Sequence, residues 1–313
     1  MTLLYSDSIY LEHDTGAHPE CGERLRQITA RITADALADR CTRGEVHPIS
    51  ATRLSRVHPT DYARGIEALC DAGGGRVDSD TVVSARSFEA ATHASGAVAD
   101  AVTRVVQGDD ATALCLVRPP GHHALAKTAM GFCLFNHVAV GARVAITECE
   151  LDRVLIVDWD VHHGNGTQAM FWEDEQVGFL SIHRWPFYPG TGAEDETGAG
   201  RGLGTIKNLP TQFGITRQDY VNKFTAGLEG FAAQIRPELM ILSAGFDSHR
   251  MDPIGSLGLE SEDFQILTQA VMQVANAHAG GKLVSVLEGG YHTTALAESV
   301  AIHLRELLAS SSQ

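Results

Sequence analysis

Residues 154–166 read VLIVDWDVHHGNG, an apolar run that is followed at once by acids, histidines and glycines. The run VLIV has the length and composition of a buried strand in a parallel sheet. In an extended segment, side chains two residues apart project to the same side, so Asp160 and His162 can bind one ion, with Asp158 behind them. Capping of a following helix by the two aspartates is the alternative that this stretch alone leaves open.

Apolar runs of the same kind recur along the chain and alternate with segments in which apolar residues follow helical spacing. Further strands are predicted at 113–117, 177–182, 239–242 and 283–287. Helices are predicted at 88–106, 137–147, 221–235 and 264–278, with Thr216 as a cap of the third. This alternation predicts an α/β fold with a mainly parallel β-sheet that is flanked by helices on both faces. We expect a single domain over residues 1–313, the last few forming a flexible tail.

Unusual polar residues follow each predicted strand, where open parallel sheets bind their ligands. These segments are RPPGHH (118–123), DWDVHHGNG (158–166), the loop with Phe187 and Tyr188, AGFDSHRMDP (244–253) and EGGYH (288–292). Their convergence would bring Asp247 to Asp160 and His162 as a third metal ligand. Two carboxylates and one imidazole leave a coordination position open, which is typical of a catalytic zinc site.

The adjacent histidines His122 and His123 follow a rigid Pro-Pro-Gly turn and can supply a base and an acid. A carboxylate partner such as Asp158 favours the imidazolium form, whereas an amide partner such as Asn165 leaves its histidine neutral. Tyr291, beside two glycines, is a candidate donor of a hydrogen bond to an oxyanion.

The composition excludes several classes of function. A net charge of −15 argues against sequence-independent binding of nucleic acid and favours cationic partners such as lysine-rich peptides or polyamines. The chain shows neither a signal peptide nor an apolar span long enough for a bilayer. Six scattered cysteines without a CxxC pair indicate reduced thiols, and we expect a cytoplasmic protein.

The constellation resembles the histone deacetylase superfamily, which also contains acetylpolyamine amidohydrolases and is related to arginase. The matching stretches span almost the whole chain in the family's order: HPECGERL (18–25), RPPGHHA (118–124), GFCLFN (131–136), DWDVHHGNGT (158–167), SIHRWPFYPGTG (181–192), GFDSHRMDP (245–253) and LEGGYH (287–292). Asn165 stands where class I members have Asp and matches the class II branch. Gly22 replaces the usual proline of HPExPxR, and Tyr188 stands where many members have Phe.

The resemblance implies an arginase/deacetylase-like fold and a role for each matching residue. The zinc ligands would be Asp160, His162 and Asp247. The paired histidines would be His122 and His123, with Asp158 and Asn165 as their partners. Tyr291 would be the carbonyl-polarising tyrosine. The substrate tunnel and its rim would comprise Gly131, Phe132, Tyr188, Ile254 and Asp80. Arg24 matches an arginine that lines an internal channel for the released acid. A structural potassium ion would be held by Asp158, Asp160, His162, Ser181 and Ile182.

The activity implied is zinc-dependent hydrolysis, by metal-activated water, of acetyl or other acyl groups on lysine side chains of peptides and proteins. Fe²⁺ could replace Zn²⁺ in the cell, because these ligand types accept several divalent metals. An acetylpolyamine amidohydrolase, which acts on acylated small amines, is the first alternative, and the apolar Ile254 disfavours it. An arginase-like enzyme with two manganese ions is also disfavoured, because it needs the patterns DxHxD and DxD. The corresponding stretches here, 160–165 (DVHHGN) and 247–249 (DSH), lack the extra carboxylates. A non-catalytic acyl-lysine-binding module is disfavoured by the complete catalytic set.

Overall fold

The computed structural model describes residues 1–310; residues 311–313, which belong to the predicted flexible tail, lie outside the described residues. Ten strands occur in this range: β1 (Thr2–Tyr5), β2 (Cys41–Arg43), β3 (Gly74–Arg76), β4 (Val82–Ser84), β5 (Thr112–Cys115), β6 (Val154–Asp158), β7 (Val177–Arg184), β8 (Ile206–Thr211), β9 (Leu239–Ala244) and β10 (Leu283–Leu287). Strands β3 and β4 form an antiparallel pair. The other eight form one parallel sheet in the order β2-β1-β5-β10-β9-β6-β7-β8.

Helices cover both faces of this sheet. Their bounds within residues 1–310 are α1 (Glu23–Ala34), α2 (Ala51–Leu54), α3 (Thr60–Asp71), α4 (Ser87–Gln107), α5 (His137–Thr147), α6 (Asn165–Met170), α7 (Arg217–Ile235), α8 (Asp263–His278) and α9 (Thr293–Ser310). Gly141 of α5 lies beside Ile241 of β9, whereas His303 of α9 bonds to Ser285, the register partner of Leu242. Because consecutive strand residues point to opposite faces, α5 and α9 lie on opposite sides. The predicted fold class is confirmed.

The sequence pattern locates the buried strands and long helices well and misses the edges of the sheet. Thr216 caps α7 by accepting a hydrogen bond from the Asp219 backbone N–H. Strand β8 is not predicted, because it contains Pro210, a residue that normally argues against a strand. An edge strand tolerates a proline, since only one of its sides pairs with a neighbour. Helix α6 begins at Asn165 without a side-chain cap, so the alternative that the two aspartates before it cap a helix is wrong.

The side chain of Trp159 fills the core behind the polar edge of the sheet. It projects away from its neighbours Asp158 and Asp160, as alternation in an extended segment requires. It is fully buried and packs in aromatic contact against Phe224, Phe246, Phe264 and His303. Within residues 1–310, no helix has both the length and the hydropathy needed to span a membrane.

Candidate active site

Three buried side chains converge at the carboxyl ends of two adjacent strands. Asp160 and His162 follow β6, and Asp247 follows β9, the neighbour of β6 in the sheet. One potential ligand atom from each lies within 4.8 Å of the others. His162 Nδ1 is 3.0 Å from Asp160 Oδ1 and 3.2 Å from Asp247 Oδ2. Residues 85 positions apart in the sequence are therefore brought together by the parallel register of β6 and β9.

This cluster has the chemistry of a divalent metal site. Asp247 Oδ1 accepts a hydrogen bond from Val161 N, but the buried Asp247 Oδ2 accepts none, although His162 Nδ1 lies 3.2 Å away. Burial and the nearby charge of Asp160 raise the pKa of Asp247 to about 7. Leaving a buried carboxylate oxygen unsatisfied is costly, and a bound cation removes that cost. The donor set of two carboxylates and one imidazole fits a catalytic zinc ion with a free position.

Two glycines leave room for these carboxylates. A Cβ on Gly245 would overlap Asp160 Oδ2, and a Cβ on Gly289 would overlap Oδ2 of both Asp160 and Asp247. Gly289 also donates its backbone N–H to Asp160 Oδ2 at 2.9 Å. The absence of a side chain at both positions is therefore a condition for the cluster.

Gly289→Ala is expected to displace the two carboxylates and to remove most of the metal binding, with a loss of about 1–3 kcal/mol in the free energy of unfolding from overpacking. Metal content after dialysis and the urea midpoint measure the two effects. Gly230→Ala on α7 is the matched control, because nothing lies within 4 Å of its added Cβ. Equal metal content in both variants would contradict the assignment of Asp160 and Asp247 as ligands.

The paired histidines lie beside the cluster with different partners. His122 Nδ1 is 2.9 Å from Asp158 Oδ2, and His123 Nδ1 is 2.7 Å from Asn165 Oδ1. The two rings are 4.0 Å apart between centroids. His122 Nε2 lies 3.8 Å from Asp160 Oδ1, which links the pair to the three-residue cluster.

These partners separate the protonation states of the two histidines. Burial alone would lower the pKa of His122, but the charges of Asp158 and Asp160 outweigh it and raise that pKa well above its usual value. Burial lowers the pKa of His123 far below its usual value, and the charge of His122 lowers it further. The surroundings therefore favour the protonated form of His122 and the neutral form of His123, a combination suited to charge stabilisation and to base catalysis.

Tyr291 lies in the turn after β10, where its ring contacts Phe132 and Arg24. Its ring is 5.7 Å from that of Phe132, in an edge-to-face arrangement. Its backbone N–H donates to Asp252 Oδ2 at 2.7 Å, and Asp252 Oδ1 accepts from the N–H groups of Ile254 and Gly255. Asp252 therefore joins the turn that carries Tyr291 to the loop that carries Ile254.

Arg24 is fully buried and bonds to the same turn. Its Nε donates to Gly290 O at 2.6 Å and its Nη2 to Glu288 O at 2.5 Å, while Nη1 pairs with Glu20. Its guanidinium carbon lies 5.1 Å from the centroid of the Tyr291 ring. The arginine expected to line an acid channel thus also fixes the backbone around the tyrosine.

Two of the residues predicted for the tunnel, Tyr188 and Gly131, lie against His123. The Tyr188 ring meets His123 edge to face at 5.2 Å, and 37% of the Tyr188 surface is exposed. Gly131 adopts a φ of 55°, and a Cβ there would overlap the His123 ring. Phe132 has a positive φ of 70°, and its backbone N–H bonds to Thr81 Oγ1. Burial raises the pKa of Tyr188, and the charge of Asp80, the neighbour of Thr81 in the chain, raises it further.

The residues predicted to hold potassium lie behind the histidine pair. Asp158 and Ser181 are register partners on β6 and β7, and Ile182 follows on β7. Within residues 1–310, the backbone carbonyls of Asp160 and His162 accept no hydrogen bond. Unpaired carbonyl oxygens beside a carboxylate and a hydroxyl are ligands of the type that potassium takes.

The sequence motifs contained further buried residues to which no role was assigned. Glu288 Oε2 accepts from the backbone N–H groups of Gly121 and His122, at 2.7 and 3.2 Å. Asp252 fixes the turn of Tyr291, and Glu20 pairs with Arg118 through two bonds. The sequence feature that could have identified them is a charged residue inside a motif at the end of a buried strand or after a turn. Charged residues at such positions are rarely buried unless they have partners.

Comparisons with known proteins agree with this arrangement. Residues 18–307 match the histone deacetylase domain family. The chain is 36% identical to the histone deacetylase-like amidohydrolase of Pseudomonas aeruginosa, over 88% of this chain and 72% of that protein. It is 41% identical to the human polyamine deacetylase HDAC10, over 98% of this chain but 48% of that protein, so it spans about half of HDAC10.

A solved structure extends the likeness to three dimensions. The crystal structure of the HDA15 HD domain matches with a TM-score of 0.93 and 36% identity, and the match covers 100% of this chain and 89% of that one. The predicted enzyme class, a deacetylase hydrolase, is confirmed at this level. The matched domain covers most of the chain and includes the cluster of Asp160, His162 and Asp247, the histidine pair and the turn with Tyr291, and the protein therefore belongs to the histone deacetylase family.

Proposed function

We propose that this protein is a zinc-dependent amidohydrolase that removes acetyl or other acyl groups from lysine side chains. The observation that carries the proposal is the buried cluster of Asp160, His162 and Asp247 beside two histidines, one bonded to a carboxylate and the other to an amide. In that cluster a bound Zn²⁺, or Fe²⁺ in its place, would polarise the acyl carbonyl and lower the pKa of an attacking water toward about 7.

The histidines and the tyrosine supply the proton transfers and the hydrogen bond. His123, neutral beside Asn165, takes a proton as water attacks the carbonyl carbon and then delivers a proton to the leaving amine. His122, cationic beside Asp158, stabilises the negative charge that develops. The Tyr291 hydroxyl donates a hydrogen bond to the carbonyl oxygen.

The remaining predicted residues bind the substrate or support the site. Gly131, Phe132 and Tyr188 form the walls that align an apolar alkyl stem and exclude water, and Asp80 orients the substrate at the rim. Ile254 gives this rim an apolar residue, which favours a lysine peptide over a small linear polyamine.

Arg24 and the potassium ligands are proposed to support the site. Arg24 lines the route of the released acid, and potassium binds at Asp158, Ser181 and the carbonyls of Asp160, His162 and Ile182. All six cysteines are free, which supports a reducing compartment such as the cytoplasm.

Deacetylation of polyamines is the second candidate. The likeness to a protein named polyamine deacetylase favours it, because 98% of this chain aligns with that protein. The net charge of −15 suits either class of cationic substrate.

Metal analysis combined with a substrate panel tests the function. One zinc or iron ion per chain is expected, with activity lost on chelation and restored by added metal. Turnover of acetyl-lysine and longer acyl-lysine peptides should exceed that of acetylputrescine by at least about 10-fold, roughly the discrimination that one apolar contact provides.

Asp247→Asn is the matched negative control, since it keeps the shape of a ligand and removes its charge. Preferred turnover of acetylputrescine would select the polyamine alternative. A metal-replete protein that is inert on every acylated amine would end the proposal.

A further inference from the structure

A stack of side chains outside the proposed catalytic set ends on His162. The Phe187 ring stacks on the His162 ring with 5.2 Å between centroids and 16° between planes. The guanidinium carbon of Arg184 lies 4.1 Å from the centroid of Phe187 and 4.6 Å from that of Phe213. Arg184 is therefore in cation–π contact with two aromatic rings, one of which contacts His162.

The His162 ring has few other constraints. A metal-binding histidine usually donates its second ring N–H to a carboxylate, a carbonyl or a water, and this bond fixes the plane of the ring. Here Nδ1 faces the carboxylates of Asp160 and Asp247, and no residue within 1–310 bonds to Nε2. Besides Phe187, the aromatic contacts of the ring are edge-on ones with His123 at 5.8 Å and Tyr188 at 6.1 Å.

Arg184 is itself held from two directions. Its backbone N–H donates to Val161 O at 2.8 Å, directly before His162 in the chain. Its Nη1 donates to Gly255 O at 2.9 Å, in the loop that follows Asp247. The residue that contacts Phe187 is thus attached to both segments that carry the metal cluster.

We infer that Arg184 is a positioning residue for the metal centre, which keeps Phe187 stacked on His162 and so fixes the plane of that imidazole. The inference rests on the proposed metal site. A planar guanidinium is suited to this role, because it stacks on aromatic faces while its N–H groups remain free to bond in the plane. This role also accounts for the position of Phe213, an aromatic side chain that is 67% exposed and lies in contact with the Arg184 guanidinium.

The test is the rate at which zinc-loaded protein releases zinc to a chromogenic chelator, measured together with zinc affinity by competition. Loss of a group that orients a ligand typically weakens metal binding 10- to 100-fold. We expect Arg184→Gln and Phe187→Leu each to release zinc about 10-fold faster. The double variant should release it no faster than the stronger single variant, because both changes break one stack.

Two further variants make the test decisive. Arg201→Gln is the matched control, since Arg201 is exposed, pairs with Glu175 and should leave zinc release unchanged. Phe213→Leu changes a side chain that is 67% exposed. It should speed release about two- to threefold, a smaller effect because Phe213 contacts Arg184 and not His162.

The outcomes separate the inference from the proposed function. Wild-type protein that binds no zinc would overturn the proposed function. Wild-type protein that binds zinc, with release rates for Arg184→Gln, Phe187→Leu and Phe213→Leu equal to its own, would overturn the positioning role. A change in KM for the acyl-lysine substrate with zinc release unaltered would also overturn it, since that result assigns Arg184 to the rim.

Discussion

Tyr291→Phe is expected to lower kcat by about 100-fold or more, while zinc binding, KM and the melting temperature stay close to wild type. The phenol is the hydrogen-bond donor that we propose for the carbonyl oxygen, and its contribution is greatest when negative charge develops on that oxygen. Burial, followed by the charge of Asp247, raises the pKa of Tyr291 well above its usual value. The hydroxyl therefore keeps its proton throughout the working pH range.

Steady-state kinetics on an acetyl-lysine peptide measure this effect. Tyr188→Phe provides the matched control, because it removes a hydroxyl from the tunnel wall without touching the proposed oxyanion position, and its kcat should remain within a few-fold of wild type. Near-full activity in Tyr291→Phe would refute the role assigned to this residue. An equal loss in both variants would mean that the hydroxyls act through tunnel structure instead.

Metal-free protein is expected to lose most of its folding stability between pH 6.5 and pH 4.5. Burial lowers the pKa of six histidines to about 3 or 4, and these are His13, His58, His137, His163, His183 and His303. In the unfolded chain each has a pKa of about 6.5. The stability that these neutral histidines contribute is complete above pH 6.5 and is lost as the pH falls, since protonation then favours the unfolded state.

Two buried carboxyl groups oppose this trend. The pKa values of Glu288 and Asp247 are raised to about 7, chiefly by burial, so near pH 5 each holds a proton that the unfolded chain has largely released. The histidines whose pKa values are lowered outnumber these two carboxyls, so near pH 5 the unfolded state binds more protons than the native state. The free energy of unfolding should then fall as the pH drops through 5, by about 1.4 kcal/mol per pH unit for each extra proton on the unfolded state.

Urea unfolding at a series of pH values checks this slope. His303→Gln should reduce it by about 1.4 kcal/mol per pH unit, the effect of one proton, whatever its cost in stability at neutral pH. His47→Gln, at a side chain that is 76% exposed, should leave the slope unchanged. A stability that is flat from pH 6.5 to 5 would show that the buried histidines protonate without unfolding.

The parts of the fold that sequence alone predicts are those dictated by burial on both faces. Strands β6 and β10 and helices α5 and α8 are continuous apolar or helically spaced runs, so their pattern is unambiguous. Strand β1 is buried but has only four residues, and the edge strand β2 has three residues, none of them buried, so neither gives an apolar run long enough to be recognised. Their pairing depends on contacts across the sheet that no local pattern records.

The site likewise has a part that the sequence predicts and a part that it does not. Polar residues directly after buried strands predict the meeting of Asp160, His162 and Asp247, because parallel register alone brings strand ends together. The bonds of Asp252 to Tyr291 and the stack on His162 depend on the path of loops, which spacing does not specify. Phe187 was noted in sequence as part of a loop, yet its contact with Arg184 required the structure.

The place of β10 in the sheet has a consequence for synthesis on the ribosome. Although β10 is nearly the last element of the chain, it lies between β5 and β9. Until residues 283–287 emerge, the nascent chain can assemble only two partial sheets, β2-β1-β5 and β9-β6-β7-β8, each with an unpaired apolar edge. Such edges invite association with other chains, so translation arrest or truncation before this point should produce aggregates rather than a smaller working enzyme.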